Sequence, residues 1–205
     1  MNTTINFWKW FQDNERAILQ AYTLDKNKKE LFFHLKRNLN YISKGIHFII
    51  INKNDNNKIN LFFTTYGNTK LFQQVANLKD LAPPLKYFSI HSFIKPFTIE
   101  TENLLNEKLL TLIKQTQIKL DDYNIESKKI TVTLFLPKAA CNETKTALED
   151  LAETILIFTL GEVSFKRHIH KFKTEPVPKQ AIGLLAVTEL HEFIHYLTTI
   201  NCSKK

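Results

Sequence analysis

The sequence predicts an α+β fold with largely antiparallel sheets, built from two β-β-α-β units with two helices before them and one after. Three observations carry that expectation. The apolar period shifts from helical to alternating at residue 46 and again near residue 116. Short turn-like runs of Asn and Asp separate neighbouring strand-like segments, as hairpins require. No low-complexity stretch divides the 205 residues, so the chain reads as one domain, 1–205, with pseudo-repeat halves at 46–94 and 116–173. The repeat lies in the order of elements, not in the residues.

Residues 4–22 read as a helix whose Phe7, Trp8, Trp10, Phe11, Ile18, Leu19 and Tyr22 spread beyond a single stripe, so it packs on two sides. A second helix, 26–42, aligns Leu31, Leu35, Leu39 and Ile42, and Asn27 with Glu30 forms a capping pair at its start. Residues 46–51 are a β-rich run, Asn54 to Asn57 a turn, and 59–63 the returning strand. A helix over 69–80 ends at Pro83-Pro84, and 86–94 is a third strand. The second half repeats the plan. A connecting helix over 102–115 precedes a short strand, 116–120, and a turn at Asp121 to Asn124. The clean alternation of Ile130, Val132, Leu134 and Leu136 marks the next strand. A long helix over 142–160 ends at Gly161, expected in the left-handed conformation. Residues 163–173 read as a last strand, broken by Pro176 and Pro178, and 188–199 as the final helix.

Composition is that of an ordinary soluble domain: 43% hydrophobic and 23% charged. No apolar run reaches bilayer length. Met1 to Thr4 show no basic region followed by an apolar one, which predicts no secretory signal. Cys141 and Cys202 lack metal-type spacing and fit two thiols in a reducing cytoplasm. The net charge of +8 invites a nucleic-acid reading, but Arg16, Arg37 and Arg167 are the only arginines among 28 basic residues. Surfaces that read phosphate and base edges favour the planar guanidinium fork. An AT-rich coding bias accounts for the wealth of Lys, Asn and Ile.

His191-Glu192-Phe193-Ile194-His195 has the form H-E-x-x-H. On a helix this spacing aims two imidazoles at one Zn²⁺, and the glutamate serves as general base to the metal-bound water. A third ligand is needed. Ten residues follow His195 and none is Asp, Glu or His, so the upstream pair His168 and His170, two apart on the expected strand, would have to supply it. Leu190, Phe193, Ile194 and Leu197 form the apolar stripe of the same segment, which equally describes a surface helix. The basic run from Phe165 to Lys173, with Lys166, Arg167, Lys171 and Lys173, could bind an anion or nucleic acid, or guard a sheet edge with charge. The aromatic cluster from Phe7 to Phe11 could be a stacking platform, but wide aromatic burial against a sheet is the simpler role. No P-loop, GxGxxG or CxxC motif is present.

The Phe7-Trp8-Lys9-Trp10-Phe11 opening, Leu160-Gly161-Glu162 after a long helix, and the late apolar helix resemble a family of uncharacterised bacterial α+β proteins that begin with an F-W-x-W-F helix. The resemblance implies no activity and no catalytic role for Glu192. The expected function is therefore a non-catalytic binding or interaction module of the bacterial cytoplasm, of accessory or immunity type. It has an unidentified protein partner, no cofactor and no membrane association. Two alternatives stand beside it: a zinc-dependent hydrolase with His191 and His195 as ligands and Glu192 as base, and weak nucleic-acid binding through residues 165–173.

Overall fold

The architecture follows from how each hairpin acquires a third strand. The computed structural model describes residues 2–24, 27–53, 58–98, 102, 105–138, 144–178 and 183–200. Contacts divide the chain into two compact units, Met1–Ile94 and Lys95–Lys205, and each contains one of the expected β-β-α-β halves.

In the first unit, helices α1 (Asn2–Leu24) and α2 (Lys28–Asn40) precede strands β1 (His47–Lys53) and β2 (Ile59–Thr64). A 3-10 turn, Thr69–Leu71, leads into α3 (Phe72–Asp80), and β3 (Phe88–Ser92) closes the unit. β1 and β2 pair antiparallel, with Phe48 opposite Phe63 and Ile50 opposite Leu61. β3 returns parallel to β2, which gives the order β1-β2-β3. A parallel return needs a crossover, and α3 supplies it. Every residue of the central strand β2 is buried. Phe7, Trp8, Phe11 and Ile18 of α1 join Leu61 and Phe63 of β2, Leu78 of α3 and Phe88 of β3 in one core. The rings meet edge to face, Phe7 on Phe63 at 5.9 Å and Phe11 on Phe88 at 5.4 Å between centroids, the geometry that ring quadrupoles favour. The buried indole of Trp8 donates to the Leu78 carbonyl at 2.9 Å, so its one polar group is satisfied. The Phe7–Phe11 cluster is thus a core anchor rather than a stacking platform.

In the second unit, α4 (Glu107–Gln115) is capped by Asn106, whose side chain accepts from the Leu109 amide at 2.8 Å. Strands β4 (Gln117–Asn124) and β5 (Lys129–Leu136) form the second hairpin. Helices α5 (Lys145–Leu160) and α6 (Glu162–His168) then carry the chain to β6 (Ile169–Pro176), parallel to β5. A two-residue strand β7 (Leu185–Ala186) pairs antiparallel with β4, and the order is β6-β5-β4-β7. A 3-10 turn, Val187–Glu189, opens into α7 (Leu190–Ile200). No described helix is long and apolar enough to cross a membrane.

Several boundaries depart from expectation for identifiable reasons. The segment 163–173 is not one strand. Residues 162–168 are helical, and the extended backbone begins at Ile169. Gly161 makes this possible: its φ of 76° and ψ of 149° are neither left-handed helical nor open to most side chains, and it ends α5 and begins α6 in one residue. His168 and His170 therefore do not share one strand face. The residues Asp121 to Asn124 do not turn but extend β4, with a bulge between Leu120 and Asp122, and Asp121 accepts from the Thr133 hydroxyl at 2.6 Å. The turn follows at 125–128, where Lys128 adopts a φ of 55° and Asn124 accepts from Ser127. Asn27 does precede α2, but in a left-handed conformation with no side-chain cap. The expected turn at Asn54 to Asn57 lies outside the described residues, as do residues 142 and 143 of the expected long helix and residues 103 and 104 of the connecting one.

Two substitutions test this architecture. Phe11→Ala removes a fully buried ring from the first core and is expected to cost about 3–5 kcal/mol, read as a lower urea midpoint. Gly161→Ala forces a Cβ into the α5–α6 junction and is expected to cost about 1–3 kcal/mol, whereas Gly183→Ala meets no atom within 4 Å. Gly183 has its own φ of 72°, so the loss expected there comes from backbone strain alone.

Candidate functional site

The residues singled out for chemistry cluster in the second unit. His191, Glu192 and His195 are all exposed on α7, while Leu190 and Ile194 are buried. This is a surface helix with an apolar underside. His168, at the end of α6, is half-buried, and its Nδ1 lies 3.1 Å from the Lys128 carbonyl, which it reaches as an N–H donor. Burial pushes its pKa below the usual value. The Lys128 carbonyl opposes that shift, and the charges of Arg167, His191 and Lys128 reinforce it. His168 thus feels the charge of His191, whereas His170 is exposed on β6. Among the described residues no three His, Cys, Asp or Glu side chains gather as a metal site would need.

The basic run is divided by its change of structure. Lys166 lies over the Phe165 ring at 4.8 Å and pairs with Glu153 at 3.3 Å. Arg167 is exposed on the last turn of α6, where cations suit the helix dipole. Lys171 and Lys173 are exposed on β6, an edge strand, and Lys173 lies 3.6 Å from Glu175. Lysines on an exposed edge discourage strand addition. The four cations do not form one continuous face of a strand.

An apolar cleft of about 310 Å³ opens on the sheet of the second unit, lined by Ile118, Leu120, Val132, Leu185, Leu190 and Phe193. Its apolar walls offer no acid, base or nucleophile. Phe193 and His191 fall on opposite flanks of the α7 stripe at about 100° per residue, so the cleft and the histidines are separate features.

In the first unit, the outward face of α2 escaped sequence reasoning. Leu35 and Leu39 are fully buried, which turns Lys29, Phe33 and Arg37 outward, with Tyr41 continuing the row at the helix end. Phe33 is 62% exposed and Tyr41 67%. They stand eight residues apart, about 12 Å along the axis, with Arg37 between them. The spacing i, i+4, i+8 on the face opposite Leu31, Leu35 and Leu39 is the signal that could have found them. Nearby, the Lys36 ammonium donates to the Ile46 carbonyl at 2.7 Å and approaches His47 Nδ1 at 3.3 Å. Burial lowers the pKa of Lys36. Burial, and then the Lys36 charge, lowers that of His47.

Both His47 and His168 have folded-state pKa values below the ordinary 6.5. As pH falls, the unfolded chain binds these protons before the native one does. The contribution of each histidine is therefore complete above 6.5 and disappears as pH falls through the lower folded-state value. Thermal melts are expected to show Tm falling from about pH 7.5 to about 5.5, and the His47→Asn/His168→Asn variant is expected to show a shallower fall. An equal slope in the variant would place the pH dependence elsewhere.

Against this geometry, comparison with protein-family models, curated proteins and solved structures finds no match to the chain.

Proposed function

We propose that this protein is a non-catalytic interaction module, of accessory or immunity type, that binds an acidic protein partner through its first unit. The supporting observation is the division of charge. Residues 1–94 hold 13 of the 28 basic residues but only 6 of the 20 acidic ones, a net charge of +7, while residues 95–205 carry +1. A field concentrated on one unit speeds encounter with an oppositely charged partner and selects against basic ones. Only Arg16 and Arg37 of those 13 cations are arginine, so the guanidinium fork that reads guanine edges is scarce in this unit. The resemblance to the F-W-x-W-F family agrees with a role without catalysis. In the same reading the protein is bacterial and cytoplasmic, needs no cofactor, and uses α7 as a structural helix.

Binding of the full chain to poly-L-glutamate, followed by fluorescence anisotropy as salt is raised, tests the proposal. Affinity is expected to be measurable at low salt and to fall on the order of tenfold as the Debye length contracts toward 8 Å. No binding at low salt would remove the acidic partner. A (dT) oligonucleotide that binds more tightly than the polypeptide at the same salt would favour nucleic acid instead.

A further inference from the structure

We infer that the exposed ridge of α2, Lys29-Phe33-Arg37-Tyr41, is the docking surface for an acidic protein face that carries apolar pockets. The inference rests on the interaction reading above and names the residues that would carry it. Aromatic residues and arginine dominate the energetically decisive positions of protein interfaces. Here two exposed aromatics flank an arginine on one helical line, and a lysine extends it by a turn. Neither Lys29 nor Arg37 has a carboxylate partner among the described residues. The neighbouring Glu30 lies instead 4.0 Å from His34, four residues on. Among the described residues, nothing keeps either cation from the carboxylates of another molecule.

The ridge is also held still. The buried Leu35 and Leu39 fix the helix from beneath, the Asn38 side chain donates to the His34 carbonyl at 2.9 Å, and Lys36 ties the helix flank to Ile46 at 2.7 Å. Rings with two side-chain torsions on a fixed helix lose little entropy on binding. Charge complementarity selects the occupant. Lys29 and Arg37 are two of the 13 cations that give the unit its net +7, and neither has a carboxylate partner among the described residues, so a face of carboxylates complements the ridge.

The test uses the full chain and two probes, poly-L-glutamate and a random copolymer of Glu and Tyr, with a (dT) oligonucleotide as the competing class. The variant Phe33→Ser/Tyr41→Ser keeps the net charge, and Leu81→Ser is the control at an exposed apolar site away from the ridge. Unchanged Tm values establish that both variants fold. The wild type is expected to bind the copolymer more tightly than poly-L-glutamate. The ridge variant is expected to lose on the order of tenfold in affinity for the copolymer and to change little toward poly-L-glutamate, with the control like wild type. A ridge variant that binds the copolymer as the wild type does would overturn the ridge while leaving the acidic-partner reading in place. A wild type that binds neither acidic polymer at low salt would overturn that reading and the ridge with it. Tighter binding of the oligonucleotide, lost in the ridge variant, would reassign the ridge as a base-stacking platform and overturn its role with protein.

Discussion

The aromatic wedge of α1 is the contact on which the rest of the first unit depends. Phe7, Trp8 and Phe11 occupy three positions within two helical turns and meet rings from β2 and β3. That wedge covers a central strand that has no solvent-facing side. It also fixes α1 as the support for α2, which packs alongside it. The outward direction of the α2 ridge is thus inherited from a core contact: with Leu35 and Leu39 seated, Phe33 and Arg37 have nowhere to point but solvent. An exposed ridge need not be encoded separately from the core when the same helical period dictates both.

The second unit follows the same plan with different materials. Both sheets begin with an antiparallel hairpin and gain a parallel third strand after a helical crossover. The first crossover is one helix after a 3-10 turn, and the second is two helices. A short β7 then extends the second sheet beyond the shared pattern. What is common is the constraint that a strand buried in the middle of a sheet must find partners on both edges. What differs is the chain used to satisfy it.

Much of this was legible in the sequence because the apolar periods are strong where the core is strong. Ile130 to Leu136 and the α1 aromatics left little choice. The failures fell where polarity and structure part company. Asp121 and Asp122 look like turn residues, but a bulge and the Thr133 hydroxyl accommodate them inside β4. Residues 163–168 have strand-like composition, but the backbone at Gly161 lets a second helix begin at once. The candidate sites were the least legible part. His191 and His195 attracted attention as a motif, whereas Phe33 and Tyr41 belong to no motif and show themselves only once the buried face of their helix is known.

Gly161 has a wider bearing on how this chain tolerates change. Exposed lysines such as Lys171 can be exchanged at little cost, because solvent solvates whatever replaces them. Gly161 sits at a buried joint whose torsions only a residue without a side chain adopts freely. The direction of α6, and with it the point at which β6 enters the sheet beside β5, passes through that joint. In evolutionary terms it is a narrow gate: exchange of an exposed lysine such as Lys171 costs the fold little, while at this position a lineage keeps glycine or must rebuild the crossover around its replacement.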